Sequence, residues 1–190
     1  MPVTAIDKQT ALVLIDLQKG IVGRPLMPNT ASDVLSNSAS LVNAFRNAGL
    51  PIVIVNVIPA ERPHNLRAEF KMPSAQFQLE WAEIVPEIDV RYDDIKITKH
   101  SPSAFYNTDL DSILKKLNVT GIVLAGIATS IGVEATARAA SERGYNITFA
   151  KDAMTDLNDK PHENSLTFIF PRLGEIDNTE VIVEKLGERE

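Results

Sequence analysis

The sequence predicts an α/β fold, a parallel sheet with helices packed on both faces. Two observations carry this expectation. Short, continuous apolar runs recur along the chain, and longer amphipathic stretches with helix-terminus signals lie between them. A continuous apolar run suits a parallel strand covered on both sides, because neither face of such a strand meets water.

ALVLI at 11–15 is the first such run, and IVIV at 52–55, β-branched throughout, is the second. IKIT at 95–98, GIVLA at 121–125 and ITFA at 147–150 follow. A helix is expected over 32–48, opening with Ser32-Asp33 and closing before Gly49. A second begins at Asp109 and runs to 117. The alanine-rich stretch 130–143 ends at Gly144, a helix-terminating glycine. Residues 159–169 and 178–186 also read as helical. The stretch 59–94 is irregular, with Pro59, Pro63, Pro73 and Pro86 and the only tryptophan, Trp81. It reads as an excursion over the active face with one helix near 76–84. No repeat or low-complexity linker breaks the pattern, so 1–190 reads as one domain.

Composition removes several function classes. Hydrophobic residues make up 44% and charged residues 23%, as in ordinary globular chains. No apolar run reaches the length of a membrane span, and no secretory signal is visible, so a cytoplasmic location is expected. The net charge is −6 with no basic stripe, so nucleic-acid binding lacks its electrostatic footprint. There is no cysteine, which excludes disulfides, thiolate metal sites and a cysteine nucleophile from this chain.

In open α/β sheets, ligands bind beyond the carboxyl ends of the strands. Asp16 closes the first apolar run, where a carboxylate is costly unless paired or facing a cleft. Lys99 closes the 95–98 run and could reach an acidic group at a neighbouring strand end, although a solvated lysine is commoner. His100 beside it reads as structural more readily than as a base. After 121–125, Gly126 permits a tight exit from the strand and Gly132 sits where the next helix begins. Amides at a helix start can receive developing negative charge. Ser130 reads as a helix N-cap rather than a nucleophile. Asp152 reads as a cap or loop anchor. His64 and His162 show no metal-ligand spacing with His100, so no metal and no other cofactor is expected.

Taken together, ALVLIDLQKG, ITKHSPSAFYNTDLD, GIATSIGVEATARAASERGYNITFAKDAMTD and SLTFIFPRLGEI resemble four ordered segments of the isochorismatase-like hydrolases, also called the cysteine hydrolase superfamily. The resemblance implies a three-layer α/β/α, Rossmann-like sandwich with a six-stranded parallel sheet. Amidase members use an aspartate–lysine–cysteine triad. Carried over, the aspartate is Asp16, the lysine is Lys99, and the cysteine position falls on Gly132. A cis peptide is implied at Ile127–Ala128, with the amides of Ala128 and Gly132 forming an oxyanion hole. Ile58, Arg62, Phe105 and Ser130 are the implied pocket lining. The D-x-H metal motif of nicotinamidases is absent, the region reading NVIPAERPH.

Isochorismatases likewise carry glycine at the 132 position, with an aspartate that protonates an enol ether. They differ from this chain in having tyrosine where Ala128 stands and glutamine where Ile58 stands. Burial would raise the Asp16 pKa towards that role and Lys99 would lower it. Three readings stay open. One is a cysteine-independent hydrolase of a small anionic molecule. Another is a silent family member acting as a binding or regulatory protein. The third is an amide or ester hydrolase using activated water. A homo-oligomer is expected, with Phe70, Phe77 and Trp81 either at its interface or roofing the pocket.

Overall fold

The computed structural model describes residues 1–58 and 79–189. The elements run β1 (Thr10–Ile15), α1 (Lys19–Val22), α2 (Ala31–Asn47), β2 (Ile52–Val57), β3 (Ile95–Lys99), α3 (Leu110–Lys116), β4 (Gly121–Ile127), α4 (Glu134–Ser141), β5 (Asn146–Thr155), α5 (Asp159–Asn164), β6 (Glu175–Asp177) and α6 (Thr179–Gly187). The six strands form one sheet in the order β3-β2-β1-β4-β5-β6, every pair parallel. The chain builds outward from β1 to β3, then returns to lay β4 on the other side of β1. That reversal sets the carboxyl ends of β1 and β4 side by side, the usual place for a ligand.

Alternation along β1 divides the core in two. Leu12 and Leu14 pack with Val34, Leu41 and Phe45 of α2 and with Ile182 and Leu186 of α6. Ala11, Val13 and Ile15 pack with Leu110 and Leu114 of α3 and with Ala137 and Ala140 of α4. Helices therefore cover both faces, which is why the central strands tolerate no polar alternation.

Most expected elements form, with instructive shifts. The α2 start lies one residue earlier than Ser32: Thr30 is the cap, and a capping box links its hydroxyl to the Asp33 amide and the Asp33 carboxylate to the Thr30 amide. The 159–169 helix is α-helical only to Asn164 and continues as a π turn over Ser165–Ile169. The α4 stretch likewise opens with a π turn over Thr129–Val133. Its N-terminal cap position is Ala128, so Ser130 is not an N-cap but lies inside the turn. Of the helix expected near 76–84, a short 3₁₀ turn over Leu79–Ala82 is described, and the part before 79 lies outside the described residues. Strand β5 runs on past Ala150 to Thr155, with a register shift against β4 between Leu124 and Gly126. Asp152 is therefore within the strand and not beyond it.

The β1–β4 approach depends on Gly126. Its φ is +125°, and a Cβ there would sit 2.1 Å from the Ile15 carbonyl oxygen. Gly49 also has a positive φ, +65°, but a Cβ there would meet nothing within 4 Å. Gly126→Ala is therefore expected to cost at least about 3 kcal/mol, from backbone strain plus a clash with main chain that cannot yield. Gly49→Ala is expected to cost only about 1 kcal/mol, the conformational term alone. Urea unfolding of the two variants beside the wild type checks this contrast.

Candidate active site

Three strands deliver the site. Asp16 follows β1 with φ 54°, a left-handed conformation that aspartate tolerates better than most residues. Its amide donates to the Val55 carbonyl at 2.9 Å, tying it to β2. Lys99 is the last residue of β3, two strands away from β1 and so about 10 Å across the sheet. Only a long cationic side chain crosses that gap. The Lys99 Nζ donates to Asp16 Oδ2 at 2.7 Å, and both side chains are almost wholly withdrawn from solvent.

The second carboxylate oxygen, Asp16 Oδ1, is buried without a hydrogen-bond partner among the described residues. Burial is the dominant influence on this carboxyl and pushes its pKa up to about 6, against the opposing charge and hydrogen bond of Lys99. An acid that titrates near neutrality, held by a fixed cation, is suited to moving a proton.

Strand β4 brings the third component. Ile127–Ala128 is a cis peptide, and the π turn that follows carries Gly132 towards the pair. A Cβ on Gly132 would lie 3.3 Å from Asp16 Oδ2 and 3.7 Å from Lys99 Nζ. It would also lie 2.9 Å from the Ile15 Cγ2 methyl, closer than an unshifted core allows. The position is thus flanked by acid and cation and filled by neither.

The remaining expected residues take different places. Ile58 lies just beyond β2, its amide donating to the Lys99 carbonyl at 3.0 Å. The Ile58 carbonyl is 2.6 Å from His100 Nδ1, a bond between strand ends that fits a structural histidine. Phe105 is buried. It packs in the core with its ring stacked on Tyr145 at 5.8 Å and the Arg143 guanidinium 5.0 Å above. Asp152 accepts the Thr179 amide and hydroxyl, both at 2.8 Å, and so caps α6. Arg62, His64, Phe70 and Phe77 lie outside the described residues. Trp81 lies against Gly20, where a Cβ would overlap the indole ring.

Several supporting residues had no sequence signal strong enough to mark them. Gln18 is fully buried, its Nε2 donating to the carbonyls of Val57 and Trp81 and its Oε1 accepting the Val57 amide. It locks the β1 exit to the β2 exit. Asp156, the carboxylate that does follow β5, accepts the Ser130 amide at 2.7 Å. His162 Nδ1 lies 2.8 Å from Thr129 Oγ1, which also lies 3.0 Å from the Thr155 carbonyl oxygen. Among the described residues, no group of acidic or histidine side chains is placed to hold a metal ion. Two cavities, of about 330 and about 450 Å³, open at the amino ends of the strands, near Gly121 and Asn146 and near Ile52 and Ile95. They lie at the opposite end of the sheet from Asp16.

Residues 10–181 match the isochorismatase domain. The chain belongs to the isochorismatase family. It is 43% identical over 183 residues to the uncharacterized isochorismatase family protein YwoC of Bacillus subtilis, covering 94% of this chain and 95% of that one. The secreted isochorismatase effector Isc1 of Verticillium dahliae is 31% identical over 176 residues, covering 92% and 87%. The solved structure of an isochorismatase family protein from Burkholderia thailandensis superposes with a TM-score of 0.85 at 36% identity, covering 96% and 98%. This chain is thus an isochorismatase family hydrolase, and its three-layer fold is that of its structural neighbours. Among the described residues no helix is long and apolar enough to cross a membrane.

The Asp16 carboxyl makes a signed prediction for stability. Its folded pKa lies above the ordinary value of 3.8, so the folded state holds this proton more tightly than the unfolded chain. The Asp16 contribution is therefore greatest below pH 3.8 and is lost as pH rises to about 6, by about 3 kcal/mol. Urea titrations of wild type and Asp16→Asn between pH 4 and 7 isolate it. The wild type is expected to lose stability relative to the variant as pH rises.

Proposed function

We propose that this protein is a cysteine-independent hydrolase that cleaves an enol ether of a small anionic molecule, with Asp16 as general acid and Lys99 as its electrostatic partner. The observation that carries the reading is the buried Asp16–Lys99 pair beside Gly132, whose backbone approaches both groups with no side chain between. The Lys99 ammonium can only donate, so Asp16 Oδ2 must accept from it. The acidic proton then sits on Oδ1, the oxygen without a partner among the described residues.

Oδ1 gives this proton to the terminal methylene carbon, and the π electrons of the double bond form the new C–H bond. The ether carbon becomes an oxocarbenium ion. Water adds to it and yields its surplus proton back to Asp16. The resulting hemiketal expels the alcohol and leaves a 2-keto acid. Lys99 steadies the carboxylate between the two proton transfers. The backbone amides of Ala128 and Gly132 hold the substrate's negative charge.

Gly132 also favours a second reading. No side chain stands between that glycine and Asp16 Oδ2, and an ionised Asp16 could activate a water as a base towards an amide or ester. The two readings differ in the sign of their pH dependence. An acid must be protonated, so kcat/KM should be level below pH 6 and fall as pH rises above it. A base must be ionised, so activity should instead fall below pH 6.

Pyruvate release from isochorismate and simpler enolpyruvyl ethers is the direct measurement. Asp16→Asn, verified as folded by circular dichroism, is expected to lower kcat by about 10²–10⁴-fold. Pyruvate release undiminished in that variant would remove Asp16 from the chemistry. A folded wild type inert on enol ethers, amides and esters alike would instead assign the protein to ligand binding.

A further inference from the structure

The π turn over Thr129–Val133 is tied to the β5 exit by two bonds at its first two residues. The Asp156 carboxylate accepts the Ser130 amide at 2.7 Å. The second bond runs through the fully buried Thr129 hydroxyl, 3.0 Å from the Thr155 carbonyl oxygen and 2.8 Å from His162 Nδ1. A hydroxyl has one proton and a carbonyl oxygen can only accept, so the Thr129 proton goes to Thr155. His162 must then donate from Nδ1. Burial holds the His162 pKa below its ordinary value, against the pull of the nearby Asp156 charge, so the ring is neutral and Nε2 carries no proton.

This chain of bonds ends one residue from the cis peptide at Ala128 and three residues from Gly132. Neither His162 nor Thr129 touches Asp16 or Lys99 through any described bond, so the chain stands apart from the acid–base pair. What it constrains is the path of the turn that presents the backbone amides.

We propose that His162, as the neutral Nδ1–H tautomer, is a positioning residue that fixes Thr129, and through it the backbone amides of Ala128 and Gly132, relative to Asp16. The proposal rests on the charge-holding role given above to those amides, and its test does not depend on turnover. Asparagine can reproduce the Nδ1 donor at nearly the same place, whereas glutamine reproduces Nε2. His162→Asn should therefore keep the turn ordered and His162→Gln should not. Thr129→Ser and Thr129→Val make the same comparison from the other end of the bond.

The measurement is amide hydrogen exchange by NMR, with the ring nitrogen shifts of His162 in the wild type. Exchange at Ser130 and Gly132 is expected to quicken about tenfold in His162→Gln and Thr129→Val, while Leu12 in the central strand holds its wild-type rate. His162→Asn and Thr129→Ser should stay near wild type, and the ring should show a protonated Nδ1 and a bare Nε2. Should a histidine variant not fold, the threonine pair decides. Equal exchange in donor and non-donor variants, loosening that extends to Leu12, or a proton on Nε2 would each overturn the proposal. Selective loosening with no pyruvate release would leave it standing and remove the enol-ether reading. Where pyruvate is released, kcat should fall about tenfold in His162→Gln and recover in His162→Asn.

Discussion

The arrangement depends on one buried ion pair. Asp16 and Lys99 come from strands that are not neighbours, and their contact passes over the end of the strand between them. Desolvating two charges is expensive, and removing either partner leaves the other uncompensated inside the protein. The pair therefore fixes where β3 and β1 end relative to each other. It also leaves the aspartate in an unusual condition, with one oxygen held by a cation and the other without a hydrogen-bond partner among the described residues. Charge alone would keep such a carboxyl strongly acidic, but burial outweighs it.

The rest of the site serves to bring backbone close to that pair. Gly126 lets β4 draw against the β1 carbonyl, which a Cβ would forbid. Gln18 replaces missing ladder bonds where β1 and β2 separate, satisfying both a donor and an acceptor of Val57. Beyond β4, the π turn is fixed from one side by the β1 core and from the other by groups that follow β5. The exits of β1, β2 and β4 are each fastened by a side chain from another strand end.

Much of this was legible in the sequence, and the reasons are physical. An apolar strand followed at once by a charge is a strong signal, because charges do not end buried runs without a partner. Asp16 and Lys99 carry that signal, and the structure brings them together. Gly132 carries only a weak signal of its own, since a lone glycine near a helix start has many ordinary uses, and the role proposed for it comes from the resemblance. Asp156 was missed because β5 continues through Lys151 and Asp152, two polar residues that read as the end of the strand. The continuation exists because the strand shifts register against β4, an irregularity that no side-chain pattern announces. Ser130 reads as a cap because serine before an alanine-rich stretch usually is one; in the π turn its amide instead donates to Asp156. Phe105 follows the family's segment order but takes its neighbours from the core.

Gly132 also bears on how this chain relates to thiol-using members of its family. Some glycine codons stand a single base from cysteine, so the genetic distance between the two chemistries is short. The physical distance is longer, because the Ile15 methyl leans into the space a Cβ would need. Ile15 belongs to the central strand and is packed on every side, so it yields only if its own neighbours adjust. A thiol arriving alone would meet a core shaped around its absence. Two positions are thus epistatically joined, and descent that has settled into this packing is easier to enter than to reverse.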